Sequence, residues 1–158
     1  MEGCRLKTYA RWIIPALFLI GIVVTIARYR MPVEAPELLN AALARAKTEN
    51  KNVLLDFTGS DWCGPCMVLR EKVFESEQFT QWAKSRLIFI EVDFPAQKKL
   101  SEDVERQNAL MKRKYQVDGY PTIVVVNHEG KELARTVGYR GEDAEAWIAA
   151  LQRKIEGQ

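Results

Sequence analysis

Two cysteines three positions apart, in the stretch Trp62-Cys63-Gly64-Pro65-Cys66, are the residues of this chain best suited to chemistry. A thiolate is the reactive form of cysteine, and a pair at this spacing can close a short disulfide and reopen it. The pair directly follows an apolar run, Val53 to Phe57, and opens a stretch with helical spacing. Both thiols therefore sit where a strand hands over to a helix. The first turn of a helix has unpaired backbone N–H groups and the positive end of the macrodipole, so it stabilises an anion. Such a setting lowers a thiol pKa from about 8.5 to roughly 3.5–7.5. Pro65 suits a first turn because it gives up an N–H that has no partner there. Gly64 leaves room for another chain to approach. Cys63, at the helix edge, is then the attacking sulfur, and Cys66, one turn in, the resolving one. The same spacing also serves zinc, but a full site needs two more ligands. The chain offers only Cys4 and His128, and Cys4 lies beyond a hydrophobic segment. Redox use is expected, with no metal and no cofactor.

The elements that must hold this pair fit within one domain plus an appendage, since the chain has 158 residues. An apolar fraction of 47% with 28% charged residues is ordinary for a globular protein. Residues 1–30 carry a net charge of +4 and the remainder −2. The basic excess thus belongs to the N-terminus, and nothing points to a nucleic-acid surface on the domain. Three cysteines with only one pair placed to bond do not make a disulfide framework.

Between Arg11 and Arg28 lie 16 uncharged residues, Trp12 to Ala27. As a helix they cover about 24 Å, a little short of a hydrocarbon core of about 30 Å. Snorkelling arginines and the flanking Tyr9, Trp12 and Tyr29 make up the difference. The segment reads as a retained signal anchor or as a cleaved signal peptide. Thr25-Ile26-Ala27 is a poor cleavage site and Arg28 and Arg30 follow at once, which favours the anchor. Basic residues are denser before the segment than after it, so the positive-inside bias puts the main domain outside the cytoplasm. Cys4 does not follow the apolar run and is not placed like a lipid-modified cysteine. The expected division is residues 1–31 as anchor or signal segment and residues 32–158 as the catalytic domain.

Met31 to Pro36 is a linker, and Glu37 to Asn50 has Leu38, Leu39, Ala42, Leu43 and Ala46 on one helical face. Val53–Phe57 is a buried strand. Met67, Leu69, Val73 and Phe74 continue the helix that the cysteines open, as far as Glu75. Ser76 caps a second short helix bearing Phe79 and Trp82, and Leu87 to Asp93 is another buried strand. Ser101 starts a helix with Val104, Met111 and Tyr115 on its inner face. Thr122–Asn127, the turn His128-Glu129-Gly130 and Lys131–Val137 form a hairpin. Glu142–Ile155 is a final amphipathic helix with Ala144, Trp147, Ile148, Leu151 and Ile155 on one stripe. A right-handed crossover makes the first two strands parallel, and the hairpin adds antiparallel strands. The expected architecture is α/β, a small mixed sheet with helices on both faces.

On these residues the chain resembles the thioredoxin family. The likeness rests on Asp56-Phe57, on Trp62-Cys63-Gly64-Pro65-Cys66, on Gly119-Tyr120-Pro121-Thr122, and on the hairpin and final helix, over about residues 37–156. It implies the thioredoxin fold, a central mixed sheet of four to five strands flanked by helices. The wider phrase Phe57-Thr58-Gly59-Ser60-Asp61-Trp62-Cys63 is similar to thioredoxin-like proteins of bacterial envelopes. The resemblance implies that Cys63 is the nucleophile and Cys66 the resolving thiol, and that Pro121 is a cis-proline lying against the disulfide. It further implies that Asp56 is a buried acid that moves a proton at the resolving cysteine. Trp62, Gly64, Pro65, Tyr120 and Thr122 would meet the substrate, with Trp62 shielding the disulfide. Two departures stand out. Asp56 is seven residues before Cys63, one more than the family's usual spacing, which would displace its side chain. The stretch Phe94 to Arg113 is longer than in a minimal thioredoxin and offers a surface for partner choice. His128, in a turn far from Cys63, is expected to be a solvated loop residue.

The expected function is a membrane-anchored thiol–disulfide oxidoreductase of the bacterial inner membrane, with its catalytic domain in the periplasm. Gly-Pro between the cysteines resembles reducing thioredoxins, so the expected direction is reduction of protein disulfides. Such an enzyme needs electrons from a membrane or thioredoxin-type donor. A disulfide oxidase or isomerase, and a non-catalytic binding module with the same fold, are the competing readings.

Overall fold

The computed structural model describes residues 37–157, so the apolar segment Trp12 to Ala27 and the expected anchor lie outside the described residues. Among the described residues no helix is long and apolar enough to cross a membrane. In chain order the elements are α1 (Glu37–Glu49), β1 (Asn52–Thr58), α2 (Gly64–Leu69), which runs on into a π-helical turn (Arg70–Phe74), α3 (Glu77–Lys84), β2 (Leu87–Asp93), α4 (Glu102–Lys114), β3 (Thr122–Val126), β4 (Glu132–Val137) and α5 (Ala144–Glu156). The sheet has four strands in the order β2-β1-β3-β4. β1 and β2 are parallel, while β1 with β3 and β3 with β4 are antiparallel. This is the mixed sheet that the crossover and hairpin arguments require.

β1 is the hub because it is buried on both faces, with alternate side chains serving two cores. Val53, Leu55 and Phe57 point to the layer of α1 and α4, where they meet Leu39, Ala46 and Met111. Leu54 points the other way and meets Leu69, Val73, Phe79 and Trp147 from α2, the π turn, α3 and α5. Asp56 shares the period of Leu54, so its carboxyl belongs to the α2 side of the sheet. Phe57 is fully buried, and truncating such a side chain to Ala costs about 3–5 kcal/mol.

The helix starts obey their capping residues. Ser76 Oγ accepts from the Phe79 N–H at 3.1 Å, Ser101 Oγ from the Val104 N–H at 3.4 Å, and Asp143 from the Ala146 N–H at 2.8 Å. Each cap stabilises its helix by about 1 kcal/mol. In the hairpin turn Asn127 Oδ1 accepts from the Glu129 and Lys131 N–H groups. Gly130 there has a φ of 79°, a conformation that glycine adopts without strain. His128 is exposed in this turn.

Several expectations need correction. Leu38, read as part of the inner face of α1, is 48% exposed, and Leu39, Ala42 and Ala46 carry that face instead. The helix ends at Glu49, and Asn50 turns out of it with a φ of 51°. Val104 on α4 is 41% exposed, whereas Asn108 is buried. The reason is polar: Asn108 Nδ2 donates to the Asp93 backbone carbonyl at 2.8 Å, and that bond compensates an amide that burial would otherwise penalise. The helix after the cysteines is not uniform, because the chain widens into the π turn after Leu69. Met67 is left exposed while Leu69 and Val73 stay buried. The final helix starts at Ala144, two residues later than expected.

Candidate active site

Strand β1 ends at Thr58, and the chain needs only Gly59 to Trp62 to reach Cys63 at the cap of α2. The Cys63 N–H donates to the Gly59 carbonyl at 2.9 Å, closing that turn. The Cys66 and Met67 N–H groups in turn donate to the Cys63 carbonyl, at 3.0 and 3.1 Å. Cys63 is therefore the residue at which strand geometry becomes helix geometry. Cys63 and Cys66 are joined by a disulfide with their Cα atoms 5.3 Å apart. Both are nearly covered, at 5% and 4% exposure. Exposure thus does not distinguish the two cysteines, but their neighbours do. Cys63 is flanked by exposed Trp62 and Gly64, while Cys66 lies within α2 ahead of buried Leu69.

The loop before β3 meets the turn ahead of Cys63 through Tyr120 and Trp62. The Tyr120–Pro121 peptide is cis, as the resemblance implies. Thr122 Oγ1 donates to the Gly119 carbonyl at 2.8 Å, and the Gly138 N–H after β4 donates to the Pro121 carbonyl at 2.8 Å. The loop is thereby fixed from both sides. Thr122, named as a substrate contact, is buried with its hydroxyl turned to Gly119, so its side chain shapes the loop. The Tyr120 ring meets Trp62 edge-on, with centroids 5.7 Å apart.

Trp62 is 50% exposed, which rules out a core role. Its indole lies over Gly59: a Cβ at that position would stand 2.4 Å from the ring. Its Nε1–H donates to the Phe94 carbonyl at 2.8 Å. Gly59 and Phe94 are site residues that sequence reasoning missed. The composition of the Gly59–Trp62 turn was a usable signal for the glycine, while nothing local pointed to Phe94.

Asp56 sits within β1, opposite Glu91 on β2 and Ile123 on β3. The carboxyl is buried, and its Oδ1 has no hydrogen-bond partner. Burial pushes its pKa up to about 7; nearby Glu91 and Asp93 push the same way and Arg70 opposes them. Asp56 also lines a groove of about 500 Å³ together with Phe74, Phe79, Phe89, Arg70 and Glu91. Arg70 from the π turn pairs with Glu91 on β2. Neither member of that pair was singled out from the sequence.

Asp61 behaves oppositely. Its carboxylate accepts the N–H groups of Ala96, Gln97 and Lys98, and these bonds, the one from Ala96 foremost, hold its pKa below the usual carboxylate range. Among the described residues no three His, Cys, Asp or Glu side chains gather as a metal site.

The comparisons with known proteins agree with this geometry. The family described as Thioredoxin-like domain matches residues 39–154. The disulfide bond reductase DsbH of Chlamydia pneumoniae is 33% identical over 115 residues, covering 73% of this chain and 69% of that protein. A solved structure of DsbH oxidoreductase superposes with a TM-score of 0.69 at 32% identity, over 74% of this chain and 81% of that one. The thiol:disulfide interchange protein DsbD of Pectobacterium atrosepticum is 37% identical over 117 residues, which is 73% of this chain but 18% of that protein. With a disulfide at the start of a helix, a cis-proline loop and a four-stranded mixed sheet, the chain belongs to the thioredoxin-like domain family.

Proposed function

We propose that this chain is a thiol–disulfide oxidoreductase that reduces protein disulfides outside the cytoplasm. The observation that carries it is the Cys63–Cys66 disulfide at the cap of α2, in a chain of the thioredoxin-like domain family. In the reduced enzyme the helix start stabilises the Cys63 thiolate. That thiolate attacks one sulfur of the substrate disulfide. The substrate S–S bond breaks, a mixed disulfide forms, and the released substrate thiolate takes a proton. Cys66 then gives up its proton, attacks Cys63 Sγ and expels the second substrate thiol. Two electrons have passed to the substrate, and the enzyme is left in the Cys63–Cys66 disulfide form.

Asp56 is our candidate for the base that takes the Cys66 proton. A carboxyl with a pKa of about 7 can accept and return a proton near neutrality. Trp62, Gly64, Pro65 and Tyr120 are exposed or half-buried around the pair, and we assign them to substrate contact. Pro121 is assigned to holding that surface against the disulfide. The relative named a disulfide bond reductase supports the reducing direction. Recharging needs a dithiol donor, a membrane or thioredoxin-type protein. We place the domain in the bacterial envelope on the strength of the apolar segment Trp12 to Ala27 and its basic flanks.

Insulin-disulfide reduction by the full chain, with dithiothreitol as electron source, is the test. Wild-type protein accelerates it, Cys63→Ser abolishes turnover, and Cys66→Ser accumulates mixed disulfides. Full activity of Cys63→Ser would overturn the mechanism. The equilibrium potential tests direction: about −270 mV fits a reductant, and about −120 mV would reverse it to an oxidant.

A further inference from the structure

The turn before Cys63 is fastened, residue by residue, to a stretch more than thirty positions away. The Ser60 N–H and Oγ–H donate to the Asp93 carboxylate at 2.8 and 2.6 Å. Asp61 Oδ1 accepts the Ala96 N–H at 2.7 Å, and Oδ2 accepts those of Gln97 and Lys98 at 2.7 and 3.0 Å. The Trp62 indole N–H donates to the Phe94 carbonyl. On the other side Phe94 packs against Tyr120 with centroids 5.4 Å apart, and Lys112 Nζ stands 5.4 Å from the Phe94 centroid and 5.0 Å from that of Tyr120.

Residues 94–101 form neither helix nor strand, so no regular ladder satisfies their backbone. Backbone N–H groups need partners, and here three in succession find one side chain. Only a carboxylate serves that purpose at position 61. It offers two acceptor oxygens with about four lone-pair sites, whereas an asparagine amide has one acceptor and turns an NH₂ toward an N–H. The acceptor of the Trp62 indole lies two residues before the first of these N–H groups. The loop that Asp61 holds is the loop that holds the indole.

We propose that Asp61 is a positioning residue for the reaction with protein disulfides. By gathering the N–H groups of Ala96, Gln97 and Lys98 it latches the loop after β2 to the turn before Cys63, and so keeps the Trp62 indole in place as one wall of the approach to the disulfide. The proposal deepens the thiol–disulfide reading and rests on it for its kinetic consequence. Asp61 touches no reacting atom and acts through Trp62 alone.

The test is a double-mutant cycle between Asp61→Asn and Trp62→Ala in insulin reduction, read as kcat and KM separately. Asp61→Asn should raise KM and lower kcat/KM by roughly tenfold, within the range that misplacing a positioned group costs. In the Trp62→Ala background the same change should alter kcat/KM by less than about twofold, since the contact it serves is gone. Ala96→Pro removes one donor from the other side of the latch and should reproduce the KM effect should Asp61→Asn fold poorly. Equal losses in both backgrounds, or no loss in either, would overturn the proposal. Acrylamide quenching of the Trp62 emission, taken as the difference from a Trp62→Phe chain, needs no turnover. It should rise in Asp61→Asn, and an unchanged value would overturn the latch as well. A wild-type chain without reductase activity would sink the reductase reading, and the quenching result would then decide the latch by itself.

Discussion

Two carboxylates five residues apart, Asp56 and Asp61, have been given opposite surroundings. Asp61 lies in a turn at the surface, collects three backbone N–H groups and is held as an anion. Asp56 lies in the central strand, has an oxygen without a partner and is driven toward its neutral form. Hydrogen bonds to a charged form lower a carboxyl pKa, and burial without them raises it. The difference shows that surroundings, not residue type, decide which form of a carboxyl is favoured. Donors around Asp61 favour its charged form, and burial without them favours the neutral form of Asp56.

The comparison can be broken first through stability, where the two groups carry opposite signs. Asp56 has a higher pKa folded than unfolded, so between about pH 4 and pH 7 the folded state holds more protons. Its contribution is then fully present below pH 4 and is lost as pH rises toward 7. A rise of about three units corresponds to roughly 4 kcal/mol across that window. Urea unfolding of the oxidised protein should show this loss, and Asp56→Asn should flatten it and leave the protein more stable at pH 8. A wild-type curve already flat from pH 4 to 7 would mean that Asp56 is not the titrating group.

The next effect is kinetic. If Asp56 takes the Cys66 proton, Asp56→Asn should slow resolution of the Cys63 mixed disulfide by about 10²-fold, the lower end for a lost general base. The inflection of the wild-type pH–rate profile near 7 should vanish with it. Rapid acid quenching of the mixed disulfide at several pH values measures both. Undiminished resolution in the Asn variant would remove Asp56 from the mechanism.

Asp61 should act on the acid side only. Its pKa is depressed, so its contribution is present above about pH 4 and is lost as pH falls below that. Asp61→Asn should therefore shrink the acid-side loss of stability and leave the slope between pH 4 and 7 untouched. A change in that upper slope would tie Asp61 to the buried site.

The smallest effects belong to the ion pair beside Asp56. Arg70→Gln should move the inflection near 7 upward and Glu91→Gln should move it downward, each by less than burial itself does. Shifts of the same sign would show that the pair acts by shape instead of charge.

Most of the fold was legible because local rules govern it. Val53–Phe57 read as a strand from its apolar run, Ser76 and Ser101 acted as caps, and the turn before Lys131 folded where its composition asked. The cysteine pair was visible as a motif, whereas the cis form of the Tyr120–Pro121 bond followed only from the family resemblance, since X-Pro bonds are usually trans. What escaped depends on partners distant in sequence. Nothing near Asp61 says that its acceptors will be filled from residues 96–98. The burial of Asn108 depends on a carbonyl at 93. The pairing of Arg70 with Glu91 needs both the π turn and the strand register, and no periodicity announces a π turn. The placement of Leu38 failed for a plainer reason: a helix packed on one side of a sheet buries a narrower stripe than its apolar residues would allow.

Gly59 and Trp62 are bound to each other in a way that reaches beyond this molecule. With the indole resting where a Cβ would go, position 59 is not free to vary while the indole stays. A side chain can enter at 59 only after the indole has left, and a glycine at 59 without the indole leaves a bare, unroofed turn ahead of the cysteine. The two positions therefore have an order of change built into them: a redesign of this surface has to begin at 62 before it can reach 59.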